Sequence, residues 1–338
     1  MRFGFSEACL EHDPGVRHPE SPDRLRAIKR GLQKRHGVTY EDAPDADLSD
    51  ITAVHDPDYA TEVRSFCERG GGSWDPDTAA TESTWPAIRA SAGLAMDAID
   101  AALDGADGRD TPFSLGRPPG HHAITDDAMG FCFVNNAAVA AQHALDAHGL
   151  DRVAIFDWDV HHGNGTQDIF YDRGDVFYTS IHEDGLYPGT GSVAQTGDCD
   201  GAGTTLNLPF PTGAGDADYA AAVDDFIAPA IRAFDPDLFV VSAGFDAHHH
   251  DPISRLHLST EGYAMLTDRV RRISARTDAP LAFVLEGGYS LDTLADGVST
   301  VHETFDGRDP TEPEDDVSDS VRDLFERVRD THQAFGST

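Results

Sequence analysis

Short apolar runs rich in β-branched and aromatic residues recur along the chain, separated by alanine-rich or amphipathic stretches of helical length. Residues 1–5, 111–115, 153–156, 175–181, 204–208, 238–242 and 281–285 read as strands. Residues 24–35, with Leu25, Ile28 and Leu32 on one face, read as a helix, as do 84–103, 136–147, 217–233 and 263–275. His55-Asp56 leads into a further helix with Pro57 in its first turn. Strands that alternate with helices predict βαβ units and a mainly parallel sheet, an α/β fold. Residues 6–23 and the glycine-rich 70–78 read as loops. After 307 the chain turns acidic, then resumes an amphipathic helix through Val317, Val321, Leu324, Phe325 and Val328. That helix is expected to dock on a single domain, 1–338, whose core spans about 1–306.

The 338 residues, 39% of them hydrophobic, suffice for a large core. No apolar run approaches the roughly 18 residues of a membrane span, and no signal-peptide pattern opens the chain. A cytoplasmic protein is expected. Four scattered cysteines, with no Cys-x-x-Cys, predict neither a thiolate zinc site nor a disulfide scaffold.

Charge changes the picture more. Sixty acidic residues against 25 basic ones give −35, and only Lys29 and Lys34 are lysines. A partner-binding acidic surface is one reading. Adaptation to concentrated salt explains better why the acids run along the whole chain: self-repulsion is screened at molar salt, where the Debye length is about 3 Å. Stability and activity should therefore rise from dilute buffer to molar KCl; a loss of activity over that range would count against salt adaptation. Direct nucleic-acid binding is disfavoured by like charge. A homo-oligomer is compatible with the sequence.

The polar, glycine-bearing clusters follow the strands, which puts them at one carboxyl edge of the sheet. In Asp157-Trp-Asp159-Val-His161-His162-Gly-Asn164-Gly-Thr-Gln167, extended residues at i, i+2 and i+4 project from one side. Carboxylate and imidazole are both zinc ligands. Asp246, after another strand, would be a third, leaving one tetrahedral position open for water. Arg117-Pro-Pro-Gly-His121-His122 fixes two imidazoles suited to acid–base work near pH 7. Asp157 and Asn164 are candidate partners that set their tautomers. In Glu286-Gly-Gly-Tyr289 the glycines let the backbone aim a phenol that can donate to an oxyanion. The run His248–His250 reads as loop surface or support, because three adjacent residues cannot all face one metal. His162 has no assigned role.

Together these stretches, with Gly130-Phe-Cys-Phe-Val-Asn-Asn136, Tyr187-Pro-Gly-Thr-Gly191 and Ser242-Ala-Gly-Phe-Asp-Ala247, resemble the zinc-dependent histone deacetylases and acetylpolyamine amidohydrolases. His18-Pro-Glu-Ser-Pro-Asp-Arg-Leu25 and Asn164 resemble the class II branch. The resemblance spans roughly residues 1–300. It implies an arginase-like three-layer α/β/α sandwich that releases acetate from acetyl-lysine or acetylated polyamines. It implies Zn²⁺ on Asp159, His161 and Asp246, with His122 as general base beside Asn164 and His121 held by Asp157. Tyr289 is implied to polarise the amide carbonyl together with the zinc. Gly130, Phe131 and Tyr187 are implied to line an acyl-lysine tunnel, with Asp77 at its rim and Arg24 beside an inner cavity. A structural K⁺ on Asp157, Asp159, His161, Ser180 and Ile181 is implied too. Two rivals remain: an arginase-like hydrolase with two Mn²⁺ ions, and a module that binds acyl groups without cleaving them.

Overall fold

The computed structural model describes residues 1–15 and 18–332. Residues 16–17 of the expected 6–23 loop, and 333–338 of the terminal segment, lie outside the described residues. Eight strands form one sheet: β1 (Arg2–Gly4), β2 (Thr39–Glu41), β3 (Pro112–Ser114), β4 (Val153–Asp157), β5 (Val176–Glu183), β6 (Thr205–Phe210), β7 (Leu238–Ala243) and β8 (Leu281–Leu285). Their spatial order is β2-β1-β3-β8-β7-β4-β5-β6, and every pairing is parallel.

Alternation within the strands builds two cores. Ala154 and Phe156 of β4, Phe239 and Val241 of β7, and Phe283 and Leu285 of β8 enter one. Val153, Ile155, Leu238, Val240, Ala282 and Val284 enter the other. Asp23–Leu32, Thr260–Thr277, Leu291–Phe305 and Asp319–Thr331 cover the first face with Leu25, Val270, Val298 and Leu324, among others. Pro57–Glu68 and Asn136–His148 cover the second. The result is a three-layer α/β/α sandwich.

The strand order also places the site. From β4 the chain runs outward to β5 and β6, whereas from β7 it runs the other way to β8. Beside such a reversal, connections leave the carboxyl ends in opposite directions and open a crevice. In register, Asp157 faces Ser242 of β7 on one side and Ser180 of β5 on the other.

Several local expectations change. The 6–23 loop contains a short helix, Ala8–Glu11. Residues 70–78 open a small hairpin that pairs Gly72–Ser73 with Ala79–Ala80. Asn164, expected in a turn, begins the helix Asn164–Phe170. The 217–233 helix carries a π-helical turn at Val223–Ile227. Strand β2 and the helix Leu291–Phe305 were not anticipated. All four cysteines are free. No helix among the described residues is long and apolar enough to cross a membrane.

His55 ties the helical layer to the loop below the crevice. Its Nδ1 donates to the Ile124 carbonyl at 2.9 Å, and its Nε2 accepts from the Asn135 amide at 2.9 Å. Burial lowers its pKa to about 4, although the backbone acceptors pull the other way. The ordinary value is about 6.5, so the folded chain binds fewer protons than the unfolded chain between those limits. The stabilisation is fully present above pH 6.5 and is lost as pH falls towards 4, on the order of 3 kcal/mol at 1.36 kcal/mol per unit. Denaturant unfolding against pH should show this slope in the wild type and a flatter one in His55→Gln; equal slopes would contradict the assignment.

Candidate metal centre and active site

Strand β4 ends at Asp157, and the next residues leave the sheet while keeping their acids inward. Asp159, His161 and Asp246 are all buried, and one donor atom from each lies within 4.8 Å of the others. His161 Nδ1 faces both carboxylates, 2.9 Å from Asp159 Oδ1 and 3.3 Å from Asp246 Oδ2. Backbone amides fix the other oxygens: Gly287 N donates to Asp159 Oδ2 at 2.8 Å, and Val160 N to Asp246 Oδ1 at 2.9 Å. Glycine is required beside them. A methyl at Gly244 would sit 2.1 Å from Asp159 Oδ2, and one at Gly287 would sit 2.2 Å from Asp246 Oδ2.

One atom tests whether a cation belongs here. Asp246 Oδ2 is buried and accepts no well-aligned hydrogen bond; its 3.3 Å contact is with His161 Nδ1, which lies closer, at 2.9 Å, to Asp159 Oδ1. A buried carboxylate oxygen that only shares an imidazole with a second carboxylate is costly unless a further positive charge meets it. Burial and the neighbouring Asp159 charge push the Asp246 carboxyl up to about 6. Burial works against ionisation of Asp159 as well, but His121 and His161 hold it well below the usual range. Two carboxylates and an imidazole, closely spaced and dry, fit a divalent cation such as Zn²⁺.

His121 and His122 reach the same crevice from the loop after β3, with ring centroids 4.1 Å apart. His121 Nδ1 lies 3.0 Å from Asp157 Oδ2, and its Nε2 lies 3.8 Å from Asp159 Oδ1. Burial opposes the charged ring, yet Asp159 and Asp157 outweigh it and raise its pKa to about 10. His122 Nδ1 donates to Asn164 Oδ1 at 2.8 Å, which leaves Nε2 with its lone pair. Burial, then the charges on His121 and His161, drive the His122 pKa well below its usual value. One imidazole of the pair is thus biased towards the charged form and the other towards the neutral form.

Tyr289 follows Gly287 and Gly288 at the end of β8, and Gly288 has φ of +119°. Its ring packs edge-on to Phe131, with centroids 5.7 Å apart, and the Arg24 guanidinium lies 5.2 Å from its centre. Burial keeps the phenol protonated well above its usual pKa, with Arg24 opposing. Phe131 meets His18 at 4.7 Å, and Tyr187 stands edge-on to His122 at 5.1 Å. Tyr187 is 37% exposed, so it marks the outer end of this aromatic wall. Between the walls, Gly130 has φ of +55°, and a methyl there would sit 2.4 Å from His122 Cδ2. Asp77 lies on the outer rim: its carbonyl accepts from His18 Nε2 at 3.0 Å.

Arg24 is fully buried, and its guanidinium serves the protein backbone. Nε donates to the Gly288 carbonyl at 2.8 Å, and the Glu286 carbonyl and Glu20 take the remaining bonds. Of the residues expected to hold K⁺, Asp157 pairs in register with Ser180, Ile181 follows Ser180, and Asp159 and His161 belong to the cluster above.

Four supporting residues carried no expected role. Glu20 pairs with Arg117 and Arg24 in a buried network. Glu286 takes the Gly120 and His121 amides on Oε2, at 2.8 and 3.2 Å, and the Ser242 hydroxyl on Oε1, at 2.8 Å. It therefore holds the His121–His122 turn against β8. Asp251 accepts the Tyr289 and Ser290 amides at 2.7 and 2.9 Å, fixing the phenol's backbone. His162 bonds Thr190 Oγ1 at 2.7 Å and Gln167 Oε1 at 3.1 Å, and a methyl at Gly191 would press on its ring. It anchors the loop that carries Tyr187. Glu20 and Glu286 lie inside distinctive sequence stretches, but no local signal showed what they would bond.

Comparisons with known proteins point to one family. A model of the histone deacetylase domain matches residues 18–305. The chain is 38% identical over 342 aligned positions to histone deacetylase 10, chloroplastic, of Oryza sativa subsp. japonica, covering 93% of this chain and 77% of that protein. It is 39% identical over 312 positions to the histone deacetylase-like amidohydrolase of Pseudomonas aeruginosa, covering 85% and 81%. A probable deacetylase of Methanothermobacter thermautotrophicus is 38% identical over 322 positions, covering 94% of each chain. The crystal structure of the HDA15 HD domain superposes with a TM-score of 0.90 at 34% identity, covering 99% of this chain and 96% of that one.

Proposed function

The chain belongs to the histone deacetylase family, and from that premise we propose that it is a zinc-dependent amidohydrolase. It would remove acetyl groups from acetyl-lysine side chains or acetylated amines, releasing acetate. The observation that carries this reading is the buried Asp159–His161–Asp246 cluster, in which two carboxylates share one imidazole and Asp246 Oδ2 accepts no well-aligned hydrogen bond, next to His122, which is biased towards its neutral form.

Asp159, His161 and Asp246 would hold the ion. When bound, Zn²⁺ polarises a carbonyl and makes water a stronger nucleophile at neutral pH. The chain's own residues supply the rest. His122, with Nδ1 committed to Asn164, takes the proton of the attacking water on Nε2. The Tyr289 hydroxyl donates to the oxygen that becomes negative. His122 then returns its proton to the leaving amine as the C–N bond breaks, so the acetamide and water become acetic acid and amine, which leave as acetate and ammonium. His121, tied to Asp157 and biased by it towards the charged form, supports the histidine pair beside the reacting centre. Phe131 and Tyr187 pack around an extended acyl-lysine stem, and Gly130 leaves room for it. Asp77 at the rim suits a substrate backbone amide or a cationic amine. A structural K⁺ near Asp157 and Ser180, a cytoplasmic site of action and adaptation to molar salt belong to the same proposal.

In dilute buffer the acidic surface favours cationic substrates by steering, and molar salt screens that effect. A panel of acetyl-lysine peptides, acetylpolyamines and other acylamides, assayed in molar KCl with added Zn²⁺, tests the assignment. Acetate release from at least one acetylated amine is expected. Binding without turnover across the panel would favour an acyl-binding module.

A further inference from the structure

On the outer layer, away from the crevice, Asp100 of the Thr84–Leu103 helix meets His143 and His148 of the Asn136–His148 helix. Both imidazole Nε2 atoms lie 2.7 Å from the same carboxylate oxygen, Asp100 Oδ1. The two rings stand 5.4 Å apart at 83°, and one donor atom from each of the three residues falls within 4.8 Å of the others.

We propose that Asp100, His143 and His148 form a second metal site, a surface clamp for a divalent transition-metal ion that joins these two helices. Two imidazoles and a carboxylate are N and O donors of the kind that select Zn²⁺, Ni²⁺ or Cu²⁺ over K⁺, Mg²⁺ or Ca²⁺. The selection would therefore survive molar KCl. The donors are presented by packed helices. The helix bearing both histidines is closed by Gly149 at φ of +67°, whose amide caps onto Ala144 O, and this fixes where His148 stands. His143, His148 and Asp100 are 19%, 31% and 44% exposed, so an ion can enter and keep water on its open side.

Tetrahedral bonds of about 2.1 Å separate ligand atoms by about 3.4 Å, so the present 2.7 Å contacts must open by roughly 0.7 Å. Partly exposed side chains can make that adjustment. The ion takes the place of the two Nε2–H donors, each neutral ring keeping its proton on Nδ1. The other polar clusters are weaker. His248 and His249 are already bonded to Thr260 and Leu258, and Asp172, Asp198 and Cys199 are all exposed.

The test is a titration of the full-length, chelator-stripped chain with Zn²⁺ alone, read by equilibrium dialysis and by the midpoint of thermal unfolding. The wild type should bind two equivalents. His143→Gln/His148→Gln should bind one and lose part of the Zn²⁺-dependent rise in midpoint. Its deacetylase turnover should stay within about twofold of wild type, which reports that the fold is intact. Asp246→Ala should keep one equivalent, and the triple variant should keep none. Two equivalents in the histidine variant, or none in Asp246→Ala, would overturn the surface site. Two equivalents in Asp246→Ala would instead count against the active-site ligand.

Discussion

Tyr289→Phe should lower deacetylation turnover by about 10²–10³-fold, the cost of removing one oxyanion donor, while bound Zn²⁺ stays at the wild-type level. The substitution deletes a single oxygen. The ring keeps its contacts with Phe131 and Arg24, and the backbone amide keeps Asp251. The ligand cluster does not include Tyr289. The phenol suits this role because burial holds it protonated well above its usual pKa, so it remains a donor at every pH where His122 is a base. Steady-state kcat with elemental analysis of the same preparation checks the prediction. Near-normal turnover would remove Tyr289 from the chemistry.

Asp246→Ala should lose one equivalent of metal and essentially all turnover. The carboxylate supplies the one donor of the cluster that follows β7, and its Oδ2, which accepts no well-aligned hydrogen bond, is the atom an ion would satisfy. Alanine also strips the acceptor from the Val160 amide, so some stability is lost as well. Asp246→Asn keeps the shape and can keep that hydrogen bond, but carries no charge. It should weaken binding while unfolding near the wild-type midpoint. Elemental analysis in parallel with thermal unfolding separates the two effects. Full metal content in Asp246→Ala would sink this ligand, and a Mn²⁺ pair in the wild-type site would favour the arginase-like rival.

The strands of the sheet's centre were legible because each is a short apolar run ended by glycine or a polar cluster. From β4, β7 and β8, together with the idea of a common carboxyl edge, Asp159, His161, Asp246 and Tyr289 could be placed near one another before any coordinates. What stayed hidden had no local pattern. Strand β2 is three exposed residues at the sheet edge, recognisable only through its pairing with β1. Asn164 looked like a turn residue because Gly163 and Gly165 flank it, yet it opens a helix whose first residues press against the His121–Ala123 backbone. Glu286 and Asp251 act through amides more than 30 residues away in sequence. Such partnerships are set by packing, and sequence spacing carries no trace of them. His162 lacked a role for the same reason: its partners, Thr190 and Gln167, reach it from a loop and a helix.

The account depends most on the link between metal in the Asp159–His161–Asp246 cluster and hydrolysis of an acetylated amine. The direct measurement is acetate release by the full-length chain in molar KCl, first stripped with a chelator and then reloaded with Zn²⁺, using the acetylated amine turned over fastest in the panel. The account predicts background release from the stripped protein, recovery on reloading, and no recovery in Asp246→Ala under the same conditions. Undiminished release from fully stripped protein, or equal recovery in Asp246→Ala, would contradict it.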